Sequence, residues 1–135
     1  MKRPDFFGTE FDWFAVDSKG FVALMSSAGY GPIPDCVFEH FEGQRRIEEF
    51  FARLVGQPLT DDWDRMLLSL AASGVFIYDW QHWDGPYRRL GMPSVPQRLD
   101  ELGIPAELRQ ALAVVPECFS ANAVLRPELF LKCTR

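Results

Sequence analysis

The chain carries only two histidines and three cysteines in 135 residues, and neither type is spaced for a familiar chemistry. No Cys-x2-Cys pair occurs, so the common zinc modules are excluded. There is no Gly-x-Ser-x-Gly, and no cysteine sits in a nucleophile signature. Bases are scarce, fourteen against nineteen acids, for a net charge of −5. A general nucleic-acid binder needs a basic surface to neutralise phosphates, so no nucleic-acid partner is expected. Apolar runs stay far short of the roughly 20 residues that cross a bilayer, and no membrane partner is expected. Met1, Lys2 and Arg3 lead into no apolar stretch of a secretory signal. Cys36, Cys118 and Cys133 are an odd number at unrelated spacings, which is not a disulfide framework. They read as small buried hydrophobes with free thiols, and the expected address is the cytoplasm.

Apolar residues, by contrast, are plentiful. They make up 47% of the chain, and twelve are phenylalanine, enough for one core without staples. No repeat, low-complexity tract or linker interrupts residues 1–135, which read as a single domain. Charge is uneven: residues 1–64 hold twelve acids and six bases, the remainder seven and eight. An acidic half is usually a solvated face, but it also steers association with a basic partner.

Phe11 to Val16 and Phe21 to Met25 are β-prone runs around Asp17-Ser18-Lys19-Gly20, a β-hairpin pattern. Ser26 to Pro34 is irregular by its glycines and prolines. A helix follows from Asp35, with Gly43 as a candidate break, and stops at Gly56. Thr60 reads as the cap of a second helix that Gly74 ends, with Asp61 and Asp62 in its first turn. Val75 to Tyr78 reads as a buried strand, and Tyr87 to Met92 as its partner. Ser94 to Gln97 resembles a capping box, and Pro105 opens a further helix with Leu108 and Leu112 on one face. Residues 118–124 and 129–132 are weaker strand candidates. The fold class is α+β: an antiparallel or mixed sheet with helices packed on one side.

Three site chemistries can be weighed directly. Cys36 and His40 are four apart and face one way on a helix, but nothing spaces Cys118 and Cys133 to complete a zinc set. Ser26 and Ser27 precede a glycine-rich turn without a base linked to them. Ala28-Gly29-Tyr30-Gly31 follows a strand, but Pro32 and Pro34 remove backbone donors that a phosphate loop needs. No metal, no cofactor and no catalytic set is expected.

The informative segment runs from Tyr78 to Arg89. It holds four large aromatics, both signs of charge and one of the two histidines. Trp80, Trp83, Tyr87, Arg88 and Arg89 have the composition of an interface hot spot. Asp79, His82, Trp83, Asp84, Tyr87 and Arg88 are the candidate partner-binding residues. The alternative is a small hydrolase or transferase using His82 with Asp79 or Asp84 as base and orienter. The bland reading is a structural loop, with a tryptophan plugging the core.

Two stretches resemble a group of small bacterial proteins. Trp13-Phe14-Ala15-Val16-Asp17-Ser18-Lys19-Gly20 matches a Trp-Phe-Ala-x-Asp-x-x-Gly strand–turn–strand, and Ala28-Gly29-Tyr30-Gly31-Pro32-Ile33-Pro34 an Ala-Gly-x-Gly-Pro-x-Pro loop. Tyr78-Asp79-Trp80 and Gly85-Pro86-Tyr87-Arg88-Arg89 belong to the same pattern. The group is similar to immunity proteins of polymorphic toxin systems. The resemblance implies a stand-alone acidic domain that neutralises a cognate protein toxin, a basic one by charge, through occlusion. It carries over no catalytic residue.

Overall fold

Side chains alternate strictly through β1 (Asp12–Asp17), sending Trp13 and Ala15 to one face and Phe14 and Val16 to the other. Asp17 ends the strand and makes the turn. Its Oδ1 accepts the backbone N–H groups of Lys19 and Phe21, both at 2.9 Å, while Oδ2 accepts that of Phe119 at 3.0 Å. β2 (Val22–Ser26) returns antiparallel, as the hairpin pattern predicts. The structure, a computed structural model, describes residues 11–59 and 62–130.

Helix α1 (Asp35–Glu39) and helix α2 (Phe41–Val55) are separated at His40, not at Gly43. Gly43 lies inside α2, where an added Cβ would come 2.5 Å from the Ala111 Cβ. The glycine therefore lets α2 approach residues 106–111 closely. Gly56, at φ 78°, closes α2 in the left-handed conformation. Thr60 and Asp61, expected at the start of the next helix, lie outside the described residues. Asp62 caps α3 (Trp63–Ala72), its side chain accepting the Arg65 N–H at 3.3 Å. β3 (Phe76–Trp80) and β4 (Tyr87–Gly91) follow as an antiparallel pair.

The last third departs further from expectation. α4 (Leu99–Leu102) begins downstream of Ser94, with Glu101 accepting the Arg98 N–H at 2.8 Å. After Pro105 the chain makes a 3-10 helix, Ala106–Ala111, that buries Leu108; Leu112 after it is buried too. β5 (Ala113–Val115) follows immediately. Residues 118–123 are turn and irregular chain, and only Val124 enters β6 (Val124–Leu125). Leu129 closes a short 3-10 turn, and residues 131 and 132 lie outside the described residues.

The six strands form one mixed sheet in the order β5-β1-β2-β3-β4-β6. β5 lies parallel to β1 and β3 parallel to β2, the other pairings being antiparallel. The α+β class and the mixed sheet are as expected. One face packs Phe14, Leu24 and Ile77 against Ile47 and Phe51 of α2 and Met66 and Leu70 of α3. The other packs Trp13, Tyr78 and Tyr87 against Phe119 and Phe130, and α1 sends Cys36 and Val37 there. No helix among the described residues is long and apolar enough to cross a membrane.

Tyr78 crosses that second core to donate its hydroxyl proton to the Phe119 and Asn122 carbonyls. Burial pushes the phenol up to about 12 from 10.0, only partly offset by the Arg89 guanidinium. A raised acid pKa stabilises the fold below the ordinary value, and that stability drains away as pH climbs through the raised one. The fold is therefore expected to weaken between pH 10 and about 12. Denaturant midpoints measured across that window should fall for the natural chain and fall less for Tyr78→Phe.

The cysteine expectation needs correction at one position. Cys36 is disulfide-bonded, not a free thiol. Odd number and spacing say nothing about which sulfurs the fold brings together. Cys118 is free, its Sγ 3.4 Å from the Ser18 Oγ. Cys133 lies outside the described residues.

Candidate functional site

The β3–β4 connection splits the expected binding residues by the period of the strands. In β4, Tyr87 points into the core and Arg88 outward. Tyr87 is fully buried: its hydroxyl accepts from the Trp13 indole at 3.2 Å and donates to the Pro32 carbonyl at 3.0 Å. It is a structural residue and presents nothing to a partner. Asp79 is half-buried on β3 and faces the helix-covered side of the sheet. The exposed group is His82, Trp83 and Asp84 at the tip, with Arg88 on the strand behind.

The tip is held from inside. The Trp80 indole N–H donates to the Trp83 carbonyl at 3.2 Å, and the Gly85 N–H to the His82 carbonyl at 2.8 Å. Trp80 in turn lies edge-on to Tyr87, with ring centroids 5.0 Å apart. Gly85 is at φ 78°, and a Cβ there would strike the Trp80 ring at 2.3 Å. Trp80 is thus the plug, and Trp83 stands out in solvent, 79% exposed. The His82 imidazole has no hydrogen-bond or ion-pair partner among the described residues, so neither Asp79 nor Asp84 orients it as a catalytic base would require.

A second feature lies at the same end of the sheet. β2 and β3 are parallel and joined by a crossover through α1, α2 and α3, so their carboxyl ends lie side by side. Register aligns Asp12, Ser26, Asp79 and Arg88 as one rung across β1 to β4. Above the first three a cleft of about 460 Å³ opens, walled by Glu48 of α2 and Trp63 of α3. Burial holds the Glu48 carboxyl above its ordinary range; Arg45 opposes the shift and Glu49 adds to it. The floor continues into Ala28, at φ 53°, a left-handed conformation that costs a non-glycine residue on the order of 1 kcal/mol. Sequence reasoning finds Asp79 and singles out Ser26 only as a serine before a turn; it misses Asp12 and Glu48, because strand register and the seat of α2 bring these residues together.

No group of three or more histidine, cysteine or acidic side chains among the described residues is placed to hold a metal ion. Cys36 and Cys118, two residues of the weighed zinc set, are a disulfide partner and a free thiol. Comparison with family models, with curated proteins and with solved structures finds no match.

Proposed function

We propose that the chain is an immunity-type binding protein that neutralises a cognate protein toxin by occlusion, docking through the β3–β4 tip. The observation that carries this reading is Trp83, 79% exposed on a loop whose backbone is fixed by Trp80. An exposed tryptophan on a held backbone has only two side-chain torsions to fix on binding and buries a large apolar area, which is how interface anchors work. His82, Asp84 and Arg88 surround it with hydrogen-bonding and charged groups. Asp79 serves the reading as a wall of the neighbouring cleft, and Tyr87 as scaffold. Acidity concentrated in residues 1–64 suits a basic toxin, whose approach it would accelerate.

The direct test is co-expression with the C-terminal domain encoded by the adjacent upstream gene. Survival of the cells and a one-to-one complex on purification are expected. A harmless neighbour, or a toxic one that this chain leaves toxic, defeats the reading.

The cytoplasm is the proposed address, and the Cys36 disulfide stands against it, since cytosolic thiol pools reduce most such bonds. The address requires that cells lysed into an alkylating reagent yield the Cys36 peptide in alkylated form, with the bond seen in the structure reduced. A blocked Cys36 would place the protein in an oxidising compartment.

A further inference from the structure

We infer that Trp83 enters a slot in its protein partner, a concave recess with apolar walls and a hydrogen-bond acceptor at its base; this rests on the reading that the β3–β4 tip is the docking element.

The indole of Trp83 stands alone on the tip. The loop residues around it, Gln81, His82 and Asp84, are polar and exposed. Trp13, Trp80 and Tyr87 pack ring against ring behind the loop, but the Trp83 ring makes no ring contact among the described residues. Its N–H donates to no described group, since the one loop bond at this residue uses its carbonyl oxygen. Ring and donor are both turned to solvent, which accounts for the 79% exposure.

That isolation sets the shape of what binds it. A flat surface covers one face of a ring and draws the rest of its apolar contact from the ring's neighbours. The neighbours of Trp83 in the loop have little apolar surface to give. Walls on the partner must therefore cover both faces to bury the ~150–250 Å² that a large aromatic side chain offers. Tryptophan anchors sit in well-packed, water-free pockets for the same reason. The donor sets the chemistry of the base. A buried indole N–H without an acceptor weakens a complex, so the recess ends in a carbonyl, carboxylate or hydroxyl oxygen.

The rim follows from the charges beside the ring. The side chains of His82, Asp84 and Arg88 are exposed and make no hydrogen bond or ion pair among the described residues. A carboxylate on the partner meets Arg88, and a basic group meets Asp84. Such rim pairs add little affinity but fix the orientation in which the ring enters.

The test is fluorine NMR of the intact protein labelled with fluorotryptophan, alone and with the C-terminal domain encoded by the adjacent upstream gene. The Trp83 resonance is the one missing from Trp83→Phe. In the free protein it should show a full isotope shift between water and deuterium oxide, while that of the buried Trp13 shows none. In the complex the Trp83 isotope shift should vanish. Replacing the indole by benzothiophene, which keeps the shape but has no N–H, should weaken binding about tenfold, because the acceptor at the base loses its donor. Trp83→Phe should weaken it further and Trp83→Ala most, each with the native melting temperature. A complex in which Trp83 keeps its isotope shift overturns the slot and leaves the protein a toxin binder that docks by other residues. Equal losses in Trp83→Phe and Trp83→Ala, or native affinity with benzothiophene, overturn it in the same way. Loss of the isotope shift without the partner, on concentrating the protein or adding phosphatidylglycerol vesicles, assigns the tip to a second copy or a lipid surface and also overturns the slot. A toxic neighbour that forms no complex defeats the docking reading itself, and the slot falls with it.

Discussion

Trp83→Ala is expected to weaken the complex with the cognate toxin by at least thirtyfold, and by up to about a thousandfold, while the melting temperature of the free protein stays put. The magnitude is that of a tryptophan hot spot, about 2–4 kcal/mol on truncation. Selectivity for binding over folding comes from the local geometry. The ring is exposed, so no core contact is lost. The one hydrogen bond Trp83 makes to the loop is through its carbonyl oxygen, which alanine keeps. Trp80→Ala is the contrasting variant: it removes both the indole donor and the ring packed on Tyr87, and it should loosen the tip and lower stability together. Titration calorimetry and thermal melts on both variants are the measurement. Native affinity in Trp83→Ala would remove the tip from the interface and send the search to the exposed face of α2.

Gln44→Ala is expected to cost about 3–5 kcal/mol, a large share of the roughly 5–15 kcal/mol that holds a domain together. Gln44 is buried between α2 and the sheet. Its Oε1 accepts the Phe14 N–H at 2.8 Å, and its Nε2 donates to the Phe14 carbonyl at 3.0 Å and the Ala111 carbonyl at 2.7 Å. β5 pairs with β1 from Ala15 onward, so Phe14 is the position where the parallel partner has run out. The glutamine amide, which carries the same donor and acceptor as a peptide group, takes that partner's place. Alanine leaves the three backbone groups without those bonds in a buried site, which is why the loss exceeds that of a surface amide. Gln44→Leu, which keeps the volume, should be nearly as damaging. Urea unfolding gives the answer, and a loss below about 1 kcal/mol would mean that water or backbone rearrangement satisfies the strand edge.

Legibility followed the range of the interactions. The β1–β2 hairpin could be read because its alternation and its Asp17 turn are contained in fifteen residues of chain. β3 could be read because its run is continuously apolar until Asp79. β5 could not, since Ala113-Val114-Val115 is too short to show a period and is strand only because β1 lies beside it. Gln44 looks like one more solvated residue on a helix until the sheet edge beneath it is known. The aromatic density of residues 78–89 marked a special segment, but composition does not say which aromatics face in. Strand period turned Tyr87 into core and left Trp83 outside. The cleft was the least legible feature, because Asp12, Ser26, Glu48 and Asp79 are neighbours only through register and crossover.

The ties that finish the sheet at β1 reach far along the chain, and they set an order of events. Asp17 is bonded to Phe119, 102 residues away, and Gln44 to Ala111, 67 away. The hairpin and the helices can form early, but β1 keeps an open hydrogen-bonding edge until residues 111–119 have been made and have come back to it. Non-local closure of this kind is slow, and an unpaired strand edge recruits other chains while it waits. The nascent protein is thus most exposed to aggregation late in its synthesis, and yield in cells should respond to growth temperature and chaperone supply more sharply than the stability of the finished fold would suggest.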